Sequence, residues 1–223
     1  MAISTVNTDM QAYYTMRAAS YENLYATPAL QADLQKLQPL VQEALLGHHV
    51  LELACGTGYW TQQIADVAES VLATDNNPAM LAQARAKGLP QDKVSFAEMD
   101  ALQMHGQSKV TACFAAGWWS HVLRQDQSAY LDHCRAQLGK DALLVLIDQN
   151  FVEGRSIPVA RTDLAGNIFQ IHRHEPGLIG EEGHEILHNY PTDSALRKKF
   201  ADATREIRIV RTDNFWMLRC RMK

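Results

Sequence analysis

The sequence has no apolar run long enough to cross a bilayer: its longest uncharged, apolar-rich stretch, near Val110 to Trp119, is about half a span. The opening MAISTVNTDM has no basic start followed by an apolar stretch, so the expectation is a soluble, cytoplasmic protein with no membrane partner. Positive charge is not in excess either. Lys and Arg number 21 against 25 Asp and Glu, a net charge of −4 with histidine neutral, which removes the broad positive field that non-specific nucleic-acid binding needs. Four cysteines, Cys55, Cys113, Cys134 and Cys220, are too few for a disulfide framework and sit in apolar or periodic stretches, so they read as free thiols. Internal repeats and low-complexity segments are absent. What remains is 223 residues with 47% hydrophobic content, enough for one substantial core and at most a small appended lobe.

Between Gly47 and Asp148 short aliphatic runs alternate with segments of helical period, the pattern of parallel strands joined by covering helices. Strands are expected at Val50 to Ala54, Ser70 to Thr74, Val94 to Glu98, Val110 to Ala116 and Ala142 to Ile147, nearly continuous in apolar residues because both faces are covered. Asn77 caps a helix that Pro78 opens and Gly88 closes, and a second helix runs from about Asp126 to Leu138. Upstream, Thr8 to Tyr25 and Pro28 to Leu46 have helical spacing, the first with Tyr14, Ala18, Tyr21 and Tyr25 on one face. Residues 150–191 break the rhythm with eight glycines and prolines around two extended pieces, Asn167 to Glu175 and His184 to Tyr190, and read as an insertion over one end of the sheet. A Thr192-capped helix follows, with Leu196, Phe200 and Ala203 inward, and then an antiparallel hairpin of Glu206 to Thr212 and Phe215 to Met222. The fold class is therefore α/β, a doubly wound, mostly parallel sheet with an antiparallel hairpin at its carboxyl end. The domains are a helical lid over residues 1–46 and a main body over 47–223.

VLELACGTGYW joins a buried strand to a helix through Gly56-Thr57-Gly58, so backbone N–H groups at a positive helix end face any ligand crossing the sheet edge. Seventeen residues past Gly58 the second strand ends in Asp75, near the spacing at which a carboxylate grips ribose hydroxyls. Each half alone has a bland account, a turn glycine and a solvated loop acid. The third glycine of a dinucleotide fingerprint is missing, and Thr61 stands in its place. Glu52, just before the loop, would repel a pyrophosphate and could pair with a cationic amino group, which favours an amino-acid moiety.

VLELACGTGYW, LATDNNPAMLAQA and FAEMDAL together resemble the first motifs of class I S-adenosylmethionine-dependent methyltransferases, over roughly Gly47 to Asp148. YYTMRAASYENLY is similar to the amino-terminal lid of the family's small-molecule members, and the closing helix and hairpin to its antiparallel sheet edge. The resemblance implies a seven-stranded Rossmann-like sheet, S-adenosylmethionine as cofactor, and a set of contacts. Glu52 matches the position at the methionine end, and Ala54, Gly56 and Gly58 match cofactor-lining positions. Asp75 matches the ribose acid, Asn76 lies by the adenine, Asp100 with Ala101 matches the adenine-amino pair, and Tyr14 matches a lid tyrosine. The family's acidic or Asn residue near the end of the fourth strand has no counterpart in CFAAGWWSHV.

That corner carries its own chemistry. Methyl transfer is an in-line displacement, so the protein mainly aligns the groups in a dry pocket. Trp118 or Trp119 offers a ring face to a sulfonium or a flat acceptor, with packing under the insertion as the alternative. His121 is placed to take a proton from an acceptor, the alternative being a histidine bonded at the head of the next helix. Tyr14, Arg17 and Tyr21 sit on a helix that could close over the cofactor, the phenols reaching its carboxylate or the acceptor, or else that helix simply packs on the sheet. The expected activity is methyl transfer to a small-molecule acceptor with His121 as base. The other readings are a non-catalytic nucleoside-binding protein and an NAD(P)-dependent oxidoreductase.

HEILH at His184 to His188 spells a zinc-protease motif, but on a strand its histidines stand about 13 Å apart, too far for one metal. His172 and His174 are read as solvated or substrate-facing, so no metal is expected. Arg219, Arg221 and Lys223 read as charges protecting an edge strand. The insertion's extended pieces could serve a homodimer.

Overall fold

A computed structural model describes residues 8–105, 109–172 and 183–223. Its main sheet has the order β3-β2-β1-β4-β5-β10-β9. The five parallel strands are β1 (His49–Leu53), β2 (Ser70–Asp75), β3 (Val94–Glu98), β4 (Ala112–Ala116) and β5 (Leu143–Gln149). β9 (Thr204–Arg211) and β10 (Phe215–Met222) add the antiparallel pair. From β1 the chain moves outward one way to β2 and β3 and then returns to β4 on the other side. The carboxyl ends of β1 and β4 therefore flank a crevice, the place where such sheets take their ligands.

Both faces are covered, which is why the strands carry so few polar residues. Leu51 and Leu53 of β1, with Cys113 and Ala115 of β4, face α5 (Gln127–Leu138) and α6 (Asp193–Phe200). Val50, Ala112 and Phe114 face α2 (Pro28–Leu45) and α3 (Tyr59–Ala65). Glu52 is on this second face by strand alternation. Of the segment expected as a lid, α2 is a covering helix, with Leu34, Leu37 and Val41 buried in the core. α1 (Thr8–Arg17) contacts α4 (Pro78–Ala86) instead, at the crevice.

Three expectations need correction. Thr8 to Tyr25 is not one helix: α1 stops at Arg17, and a separate 3₁₀ turn spans Tyr21–Leu24. The rings nevertheless stay in a chain, Tyr14 to Tyr21 at 5.9 Å and Tyr21 to Tyr25 at 6.3 Å. The strand bearing Arg219 and Arg221 is not at the edge, since β10 lies between β5 and β9, and β9 is the outer strand. Beyond β5 the chain forms a three-stranded antiparallel sheet, β6 (Val159–Thr162), β7 (Ile168–His172) and β8 (His184–Leu187), where two extended pieces were expected. β6, fully exposed with the pattern VART, has too little apolar periodicity to be seen. HEILH is extended, as read, and its His184 pairs across strands with His172. His174 lies outside the described residues. β8 packs on α1 and on the 3₁₀ turn Trp119–His121 that follows β4.

All four cysteines are free and buried. Among the described residues no helix is long and apolar enough to cross a membrane, and no cluster of His, Cys, Asp or Glu could hold a metal.

Candidate active site

The glycine loop bends on left-handed residues, Ala54 at φ 50°, Gly56 at 56° and Gly58 at 79°. A non-glycine residue in that region is strained, and such strain gathers at working sites. The tight turn exposes the Gly56 N–H, which donates to Oδ2 of Asp75 at 2.8 Å; Oδ1 of Asp75 accepts from the Asn77 N–H, also at 2.8 Å. One buried carboxylate thus ties the ends of β1 and β2 together. Burial raises its pKa, and these N–H groups oppose the rise.

Asn77 serves two elements. Its Oδ1 accepts from the N–H groups of Ala79 and Met80, capping α4, while its Nδ2 donates to the Thr15 hydroxyl at 2.9 Å and to the Gln11 carbonyl at 3.2 Å. Gln11 answers by donating to the Asn76 carbonyl. The 3₁₀ turn is pinned in the same way: Glu22 accepts from the Thr57 hydroxyl at 3.0 Å and pairs with Lys87 at 2.5 Å. The amino-terminal elements are therefore fastened to both loops of the crevice.

Glu52 lies beneath the loop, 2% exposed, with Oε2 unpartnered. Burial pushes its carboxyl up to about 8; the nearby Asp75 adds to this and the Thr61 hydroxyl opposes it. A buried acid in this state is held as a carboxylate only against a cation or hydrogen-bond donors.

The reacting corner is organised around His121. The Leu187 carbonyl can only accept, so Nδ1 of His121 carries a proton and donates to it at 2.5 Å. Nε2 is then a lone pair, and the Tyr14 hydroxyl donates to it at 2.9 Å. Burial lowers the pKa of His121, and the charge of Asp148 acts the other way. Asp148, at the end of β5, is itself held by the N–H groups of Ser120 and Gln149, each at 2.8 Å. His188 stacks on Tyr190 with ring centroids 4.6 Å apart and meets His121 edge-on at 5.4 Å.

Two cavities meet here. The first, about 590 Å³, is walled by Tyr14, Tyr21, Ala54, Gly56, Asp75, Asn76, Trp118 and His121 among others, so it gathers most of the residues singled out in the sequence. The second, about 1210 Å³ and open, lies between α1, β7 and the start of the insertion, and shares Tyr14 and Tyr21 with the first.

Other expected residues are elsewhere. Trp119 is in the core, its ring 4.7 Å from Phe200, because the 3₁₀ turn sends successive side chains to opposite sides. Trp118 stays at the cleft and donates from Nε1 to the Tyr130 hydroxyl. Gly58 does not line the cleft: a Cβ there would meet Cβ of Ala84 at 3.1 Å, so its smallness serves the packing of α3 on α4. Asp100 caps the 3₁₀ turn Ala101–Gln103 through the Leu102 N–H, and Ala101 is buried, neither of them on the cavity wall. Tyr13 and Asp148 were not legible, while His172 was read only as solvated or substrate-facing and His188 only as part of HEILH. Tyr13 meets His172 across 159 positions and Asp148 meets Ser120 across 28, and no local spacing announces either pairing.

Comparison with known proteins agrees with this geometry. A family model described as a methyltransferase domain matches residues 50–141. No curated protein matches the chain. Among solved structures, DhpI in complex with SAH has a TM-score of 0.76 at 23% identity, covering 96% of this chain and 95% of that one. The N-methyltransferase NodS from Bradyrhizobium japonicum WM9 has 0.66 at 15%, covering 96% and 98%. The magnesium protoporphyrin IX methyltransferase ChlM from Synechocystis PCC 6803 with bound SAM has 0.62 at 14%, covering 99% and 100%. At these identities the likeness is one of fold, and it extends over the lid and the insertion as well as the sheet. Residues 50–141 thus match a methyltransferase-domain model, within a Rossmann-like fold that the chain shares with these methyltransferases over most of its length.

Proposed function

We propose that this protein moves a methyl group from S-adenosylmethionine to a small-molecule acceptor, with His121 as general base and the Tyr14 hydroxyl as the path by which the proton reaches it. The observation that carries the reading is the meeting of the two cavities at one hydrogen-bonded pair, Tyr14 and His121.

The residues of the first cavity suit the cofactor. Glu52 is not on that cavity's wall but lies beneath the glycine loop, where its unpartnered oxygen suits a cation, and the ammonium of a methionine moiety is one. Asp75 accepts one N–H at each oxygen and retains lone pairs for two ribose hydroxyls. Ala54 and Gly56 would run along the nucleoside, Asn76 beside the adenine, and Asp100 and Ala101 at the next strand end. Phosphates would meet the Glu52 carboxylate, which argues against a dinucleotide. When bound, S-adenosylmethionine supplies an electrophilic methyl carbon on a sulfonium.

The chain's own residues do the rest. Tyr14 is a poor base alone, since burial raises its pKa well above the ordinary value. Bonded to His121, it passes its proton to Nε2 as it takes one from the acceptor, so no phenolate accumulates. The bond from Nδ1 to Leu187 holds the ring in the tautomer that receives it. Such assistance is worth about a hundred- to ten-thousand-fold. α1 and the turn after it, fastened at Asn77 and at Thr57, keep water from the reacting atoms.

Calorimetry with S-adenosylhomocysteine tests the cofactor, and absence of binding at high micromolar concentration would end the reading. Transfer of labelled methyl into the small-molecule fraction of a cell extract tests turnover; binding without transfer would leave a non-catalytic nucleoside binder.

A further inference from the structure

With the second cavity taken as the acceptor's chamber under the proposed function, we infer that the acceptor carries an oxyanion, a carboxylate or phosphoryl group, gripped by Arg17 and the Nε2–H of His172, with Arg155 at the rim. The starting point is a hydrogen-bond chain. Arg17 has only donors, so Nη1 donates to the Tyr13 hydroxyl at 2.7 Å, and the hydroxyl's own proton finds an acceptor in Nδ1 of His172, 2.9 Å away. That pairing leaves His172 as the tautomer with its proton on Nε2. That N–H is buried and has no partner among the described residues. A buried donor without an acceptor is costly, so it marks where an acceptor belongs.

The surroundings give the sign of the missing group. Two arginines, Arg17 and Arg155, line the cavity and, among the described residues, no Asp or Glu does. Among the described residues neither arginine pairs with a carboxylate. Arg17 is also pre-set, its guanidinium 5.6 Å from the Tyr13 ring centroid and 5.9 Å from that of Tyr21. Asp148, the buried acid of this corner, has each oxygen taken by a backbone N–H and lies off the cavity wall. Burial together with His121, Arg17 and His184 holds the pKa of His172 down to about 4, so the ring is neutral. An arginine fork beside an imidazole N–H is suited to an oxyanion, whose charge-assisted bonds are stronger than those of a neutral oxygen. Held there, an acceptor reaches Tyr14 with its far end, because Tyr14 lines the same wall.

The test is calorimetry on protein loaded with S-adenosylhomocysteine, using benzoate, phenylphosphonate and the neutral benzamide as probes. At least one anion should bind tenfold or more tightly than benzamide, and the tighter of the two tells a carboxylate site from a phosphoryl site. Arg17→Gln should weaken that binding about tenfold and Arg155→Gln several-fold, with affinity for S-adenosylhomocysteine retained. Arg155 is exposed and outside the core, so its variant reports even if Arg17→Gln fails to fold. Benzamide matching both anions, none of the three binding at millimolar concentration, or anion binding untouched by the arginine variants would overturn the inference. Failure to load S-adenosylhomocysteine at all would sink the proposed function instead.

Discussion

The Tyr14 hydroxyl lies 2.9 Å from Nε2 of His121, joining a residue of α1 to one at the end of β4 across 107 positions of chain. In the proposed relay His121 is the proton's destination, so it must be unprotonated to work. Its pKa lies below the ordinary 6.5, and the methyl-transfer rate should therefore climb with pH in the acidic range and level off by neutrality. Asp148 opposes the lowering. Asp148→Asn should thus move the rising limb to lower pH. A limb that stays where it is would dissociate Asp148 from the base.

Tyr14→Phe and His121→Ala should each lower the rate of methyl transfer, His121→Ala by about a hundred-fold or more. If the two act as one relay, the double variant should be little worse than His121→Ala, and a double-variant cycle in single-turnover transfer measures that coupling. Full additivity would speak against the relay.

Glu52 makes cofactor binding a proton-linked event. With a pKa of about 8 the free protein holds that proton at pH 7, and pairing with an ammonium releases it. Calorimetry of S-adenosylhomocysteine in buffers of differing ionisation enthalpy should find release approaching about one proton at pH 7, with affinity rising toward pH 8.

The same residue works against stability. Its pKa is raised from 4.5, so the folded state binds more protons than the unfolded one between 4.5 and 8. Its share of stability is present in full below pH 4.5 and is lost as pH rises to 8. Glu52→Gln should therefore raise the melting temperature of the ligand-free protein at pH 8 while abolishing the shift caused by S-adenosylhomocysteine.

Asp75→Asn should destabilise the fold as well as weaken ligand binding. Both oxygens accept from backbone N–H groups, so an amide must turn its own NH₂ toward one of them. The cost is about 1 to 3 kcal/mol, read as a shift in the denaturation midpoint. Gly58→Ala should act on stability alone, through its φ of 79° and the 3.1 Å approach to Ala84.

The sheet was legible because parallel strands covered on both faces leave continuous apolar runs, and the nucleoside side of the site because glycine turn, cap and acid fall at fixed offsets along the chain. Asp75, Asn76 and Gly56 are local facts of that kind. The acceptor side was half legible. Trp118, Trp119 and His121 could be placed at the end of β4, but a 3₁₀ turn decides which of the three faces the cleft, and adjacent tryptophans carry no sign of it. Asp148 ends a strand that reads as pure core, and His172 gains its meaning from Tyr13, 159 positions earlier. Pairings at that range depend on how the insertion folds back on α1, and nothing in the local sequence encodes that.

The amide of Asn77 holds α4 with one atom and α1 with the other, which sets the order of traffic. α1 forms part of the wall of both cavities, and its bonds to Asn76 and Asn77 cross the mouth of the nucleoside cleft. The nucleoside has to enter while those bonds are open, and their closing completes the second chamber. Under the proposed function the expected order is then sequential, the methyl donor binding first and its spent form leaving last. In steady state, S-adenosylhomocysteine would compete with the donor but not with the acceptor.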